Sequence, residues 1–156
     1  MKNLKLILDD EEESDIVLGL IRLIKPLPDY ELFFRINELN PFFFQRIEDF
    51  KISGMYYDYY FSRFESYSRD HKARISITAN KSTGSIQTKY MRELFSGEEE
   101  HRLLLTEHED VDYIIKTSDS IHDFSLILFP ENLIFAIQKY SMSSDHELYP
   151  LIQYYE

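Results

Sequence analysis

Alternation of apolar and polar positions with a period of two dominates the middle of this chain. Ala73, Ile75, Ile77 and Ala79 alternate with Arg74, Ser76 and Thr78, and Tyr56 to Tyr67 carries aromatic residues on both faces, so both stretches are predicted strands. Arg69 to Lys72 separate them, which reads as a hairpin. Residues 2–8 alternate through Leu4, Leu6 and Leu8, and Ile16 to Ile24 is a short apolar run closed by Pro26. The first predicts a short strand and the second a buried one. Further strands are expected over 45–52, where Phe42, Phe43, Phe44, Ile47 and Phe50 demand burial, and over Leu133 to Ser141. Leu103 to Leu105 and Val111 to Lys116 read as two strands joined by a charged turn.

Helical spacing appears where strand alternation stops. Leu32, Phe33, Ile36 and Leu39 follow Pro28 and Asp29 at helical intervals, and Asn40 and Pro41 end the pattern. Tyr90, Met91, Leu94 and Phe95, with Gly97 behind them, predict a second short helix. Residues 121–129 suit a helix or a buried strand, and a terminal helix from Asp145 would meet Pro150 in its middle. No repeat or Gly/Ser linker divides the 156 residues, a length that supports one core. The expected fold is α+β: a single domain over 1–156, mostly antiparallel sheet with two to four short helices.

Composition removes several classes of function. With 28 acidic against 17 basic residues the formal charge is −11, a field that repels phosphate backbones and argues against nucleic-acid binding. Only 4 glycines are present, so glycine-rich phosphate loops are nearly excluded, and the absence of cysteine excludes disulfides, thiolate nucleophiles and Cys-ligated metal. The apolar stretch near Met1 is too short for a secretory signal, and no run reaches the roughly 20 residues that span a bilayer. A cytoplasmic protein without membrane contact is expected. The acidic block Asp9 to Asp15 lacks the interleaved ligands and turn glycine of a calcium loop and reads as solvated.

His101, Glu107, His108 and Glu109 form the densest group of potential metal ligands. Neighbouring residues in an extended chain point apart, so an exposed turn is the expectation, with no metal and no cofactor. Asp112 lies within a predicted strand. Beside a second acid on a buried face it would gain a raised pKa and suit acid–base work, with Glu107 as the nearest partner; the alternative is a turn cap or an arginine pair. His71, His122 and His146 are isolated and read as surface or satisfied polar residues. The run around Tyr57, Tyr59 and Phe61 offers a possible interaction surface, against which stands ordinary core packing. No nucleophile elbow, P-loop, dinucleotide fingerprint or zinc-protease string occurs.

The segment Leu105-Thr106-Glu107-His108-Glu109-Asp110-Val111-Asp112-Tyr113 resembles the signature of the IPExxxVDY family, a group of small proteins found mainly in Bacteroidota. Glu107, Val111, Asp112 and Tyr113 match at the required spacing, whereas Leu105 and Thr106 replace Ile and Pro. The resemblance extends to the acidic stretch near the N-terminus, the apolar strand after it, the helix from Asp29 and the strand Tyr113 to Lys116. It implies a bacterial protein of similar length and supplies no activity. The segment also has a packing explanation: Leu105, Val111 and Tyr113 anchor two neighbouring strands while Glu107 to Asp110 connect them. Two functions remain open, a noncatalytic domain acting through protein contacts and a small hydrolase or ligand-binding enzyme using Glu107, Asp112 and His108.

Overall fold

The computed structural model describes residues 15–70, 72–89, 98–118 and 124–154. The strand predicted over 2–8, the acidic stretch over 9–14, the helix predicted from Tyr90 onward, and His71 and His122 lie outside these residues. Seven strands among the described residues form one sheet: β1 (Ile16–Ile21), β2 (Gln45–Ser53), β3 (Tyr57–Ser68), β4 (Ala73–Ala79), β5 (Gly84–Gln87), β6 (Tyr113–Thr117) and β7 (Gln138–Met142). Their order is β2-β3-β4-β6-β1-β7, with β5 beside the first half of β3, and every neighbouring pair is antiparallel. The expected α+β, mostly antiparallel architecture is thus the observed one.

Strand alternation sends side chains to two separate cores. On one face Ile21, Phe64, Ile75, Ile77, Tyr113 and Ile115 pack beneath helix α1 (Asp29–Leu39), which buries Leu32, Phe33 and Ile36. The Phe33 ring stacks on Phe64 at 3.7 Å and meets Tyr113 edge-on at 5.8 Å. On the other face Leu18, Leu20, Phe50, Tyr59, Phe61 and Ile114 pack under Leu105, Val111 and the segment ending in helix α2 (Tyr149–Tyr154). Covering both faces lets β1 be apolar on both sides, which is why Ile16 to Ile21 is nearly uninterrupted in its hydrophobicity, whereas β4 keeps Arg74, Ser76 and Thr78 on one face. Gly19 has a packing reason, since a Cβ there would lie 3.0 Å from Ile137 and 3.2 Å from Phe124.

Several expectations are corrected. Leu39 is exposed, and Asn40 takes the buried place: its amide donates to the carbonyls of Ile36 and Leu128 and accepts from the Leu128 N–H, all at 2.8–2.9 Å. Residues 103–105 form no strand, only a single bridge between Leu103 and Lys81. The last strand begins at Gln138 rather than Leu133, and Phe124–Leu126 form a 3₁₀ turn within the ambiguous 121–129 stretch. Pro150 falls in the first turn of α2, where its missing N–H leaves no helical bond unmade, so it opens the helix instead of disturbing its middle. β5 was not foreseen, because its four residues show no distinctive alternation.

Candidate functional site

Residues 104–113 are organised by Asn80, a side chain at 0% exposure just beyond the end of β4. Its amide nitrogen donates to the carbonyls of His108 and Val111, both at 3.0 Å, and its amide oxygen accepts from the Leu105 N–H at 2.8 Å. The backbone adds two more bonds, Asn80 N–H to the Asp112 carbonyl and Leu104 N–H to the Asn80 carbonyl. An irregular loop cannot satisfy its own buried backbone, and one asparagine, donor and acceptor at once, supplies the missing partners.

With that loop fixed, each candidate residue is committed to a different part of the chain. Leu105 and Val111 enter one core and Tyr113 the other, so the segment joins both sides of the sheet instead of anchoring two adjacent strands. Burial, then Asp29 and Asp112, push the Tyr113 hydroxyl up to about 12. Asp112 accepts the Leu23 N–H at 2.7 Å through its carboxylate while its own N–H donates to the Ile21 carbonyl, holding the chain where it leaves β1. Asp110 pairs with Arg22 at 2.6 Å, and this guanidinium also bonds Gln138. The Arg22 hydrogen bond holds the Asp110 carboxyl below its usual range.

Glu107 reaches in another direction, towards β7. One of its carboxylate oxygens accepts the Tyr140 hydroxyl at 2.8 Å and contacts His146 Nε2 at 2.9 Å. Since Nδ1 of His146 accepts the Leu148 N–H at 3.1 Å, the ring proton of the neutral form lies on Nε2 and is donated to Glu107. Burial alone would raise the Glu107 carboxyl, but its own N–H, Tyr140 and His146 outweigh it and hold the group at about 2. Burial and the Glu107 charge lift Tyr140 to about 12. The His108 ring stands edge-on to Tyr140 at 5.1 Å.

Glu107 and Asp112 therefore share no partner, and both nitrogens of His146 are occupied within the chain, so neither is free to take a proton from a substrate as built. Among the described residues no group of three His, Asp or Glu side chains is placed to hold a metal ion. A partly open cavity beside α2, between Leu18, Phe50, Leu104 and Ile114, has room for about 30 Å³, a volume on the scale of a water molecule, and no candidate carboxylate lines it. His146, expected as an isolated surface or satisfied polar residue, is satisfied within the Glu107 cluster.

Tyr59 and Phe61 do not form a surface. They are buried at 2% and 0% exposure in the second core, with Tyr57 half-buried against Tyr59, because this face of β3 is covered by the 104–111 loop and the C-terminal segment. The most exposed aromatics among the described residues are Tyr30 at 75%, Phe43 at 68% and Phe34 at 61%, with Tyr67 at the far end of β3 and Phe135 also exposed. Tyr30 and Phe34 are one turn apart on α1, and Asn37, next on that flank, holds the backbone N–H and carbonyl of Phe44, the residue that follows Phe43. No family model matches the chain, no curated protein matches its sequence, and no solved structure matches its fold. No described helix is long and apolar enough to cross a membrane.

Proposed function

We propose that this protein is a noncatalytic, cytoplasmic domain of the IPExxxVDY kind that acts by contacting another protein through the outer flank of α1. The observation that carries this reading is the exposure of Tyr30 and Phe34 one turn apart on α1, and of Phe43 just after the helix, while Glu107, Asp110 and Asp112 are engaged within the chain. Large aromatics at the surface cost hydration and are characteristic of the centres of protein interfaces. The occupant is a different protein, since two copies that each carry a charge of −11 repel, and Glu31, Arg35 and Glu38 give the helix a polar rim for such a contact.

The test is affinity capture from the native host with wild-type protein and with Tyr30→Ser/Phe34→Ser/Phe43→Ser, at matched thermal stability. A partner retained by the wild type and lost with the triple variant supports the proposal. Equal retention by both contradicts it.

A further inference from the structure

We propose that the turn between β2 and β3 is a carboxylate-binding site that the chain fills with its own Glu98, and that a small external carboxylate binds there when this side chain is removed. The N–H groups of Met55, Tyr56 and Tyr57 converge on the Glu98 carboxylate at 3.0–3.2 Å, and the Tyr59 hydroxyl approaches one oxygen at 3.4 Å. Successive backbone N–H groups aimed at one point form an anion nest, which recognises charge and shape irrespective of the segment that carries them.

Gly54 makes the opening. A Cβ at that position would stand 2.2 Å from the Glu98 oxygen, so any other residue would fill the space the carboxylate occupies. The three N–H groups meet the two oxygens of one carboxylate, and this is the group the site is assigned to. Tyr59 additionally donates to the Glu99 carbonyl and fixes the chain just beyond the bound group. Burial by itself would raise the Glu98 carboxyl, yet the three N–H groups and Tyr59 hold it below its ordinary range, in keeping with a site that prefers the anion.

The nest is reachable. It borders an open cleft of about 650 Å³ between the turn and residues 98–109, lined also by Tyr59, Arg102 and Thr106. Arg102 lies over the Tyr59 ring, 5.9 Å from its centre, and sets one cationic side chain in a cleft that Glu99 and Glu109 also line, so the attraction for an anion comes from the nest itself.

The experiment uses Glu98→Ala in the full chain, titrated with sodium formate and sodium acetate against sodium chloride at equal ionic strength. Expected are saturable shifts of the Met55, Tyr56 and Tyr57 amide resonances and a rise in Tm. The apparent affinity for formate should exceed that of the wild type, whose site is filled, by about tenfold or more. Adding Gly54→Ala to Glu98→Ala should abolish the response. If Glu98→Ala is unfolded in chloride, recovery of near-ultraviolet circular dichroism in formate reads the same binding. Identical responses to formate and chloride, or equal responses of variant and wild type, overturn the proposal. A response to inorganic phosphate but not to formate overturns the carboxylate assignment.

Discussion

Along residues 104–113 the polar groups answer to other parts of the same chain: Asn80 holds the loop, Asp112 holds Leu23, Asp110 holds Arg22, and Glu107 gathers Tyr140 and His146. Along the outer flank of α1, Tyr30, Phe34 and Phe43 project into solvent. The first stretch has the residue types of an active site and the bonding of a structural clamp. The second has the residue types of a core and the exposure of a surface. The contrast separates chemical potential from chemical availability: a carboxylate or imidazole whose bonds are satisfied internally must break them before it can serve a ligand, whereas an exposed ring gives up only water.

The contrast breaks most readily at Asn80. Asn80→Ala leaves the Leu105 N–H and the Val111 carbonyl unpaired in a buried setting, while the His108 carbonyl keeps the Val111 N–H, and is expected to cost about 2–4 kcal/mol in urea unfolding. A cost below about 1 kcal/mol would mean that the loop does not depend on this clamp. Asp112→Ala removes one charge-assisted bond to the Leu23 N–H, with an expected loss of about 1–2 kcal/mol. Asp112→Asn, which keeps an acceptor, should retain most of the stability.

Acid pH tests the Glu107 cluster with a smaller effect. Its folded-state carboxyl titrates at about 2, below the ordinary value of 4.5, so the stabilisation is complete above the unfolded value and is lost as pH falls from there towards 2. Glu98 acts with the same sign. The Glu107 side chain is 40% exposed, and screening limits its share to about 1 kcal/mol or less. Glu107→Gln should therefore flatten the acid side of a stability-versus-pH curve without displacing the neutral plateau much. An unchanged acid limb would show that the Tyr140 and His146 bonds do not select the charged carboxylate. The smallest effect on stability belongs to the α1 flank: Tyr30→Ser, Phe34→Ser and Phe43→Ser are each expected within about 0.5 kcal/mol of wild type by thermal unfolding.

How far the sequence carried the fold depended on the range of the contacts involved. The hairpin of β3 and β4 and the helix from Asp29 to Leu39 follow local periodicity, and both are observed where periodicity places them. The loop from Leu103 to Asp112 is built by Asn80, whose side-chain partners stand 25 to 31 residues away. Asn40 likewise pairs with Leu128 at a separation of 88 residues. Nothing in the immediate neighbourhood of either asparagine distinguishes a buried backbone clamp from a turn residue. The Tyr57, Tyr59 and Phe61 surface failed for a related reason. Alternation establishes that these side chains share a face, but the elements that cover that face come from residues 104–111 and the C-terminal segment. Glu98 belongs to a run of three glutamates that nothing in the local sequence tells apart, and only the position of the Gly54 turn shows why one of them is held.

Hydroxyl-radical footprinting of the protein, free and bound to its captured partner, tests the contrast most directly, because it reads aromatic side chains one at a time. The account predicts that oxidation of Tyr30, Phe34 and Phe43 falls on binding while that of His108 and Tyr140 stays the same. Protection of His108 and Tyr140 with no change along the α1 flank would contradict it.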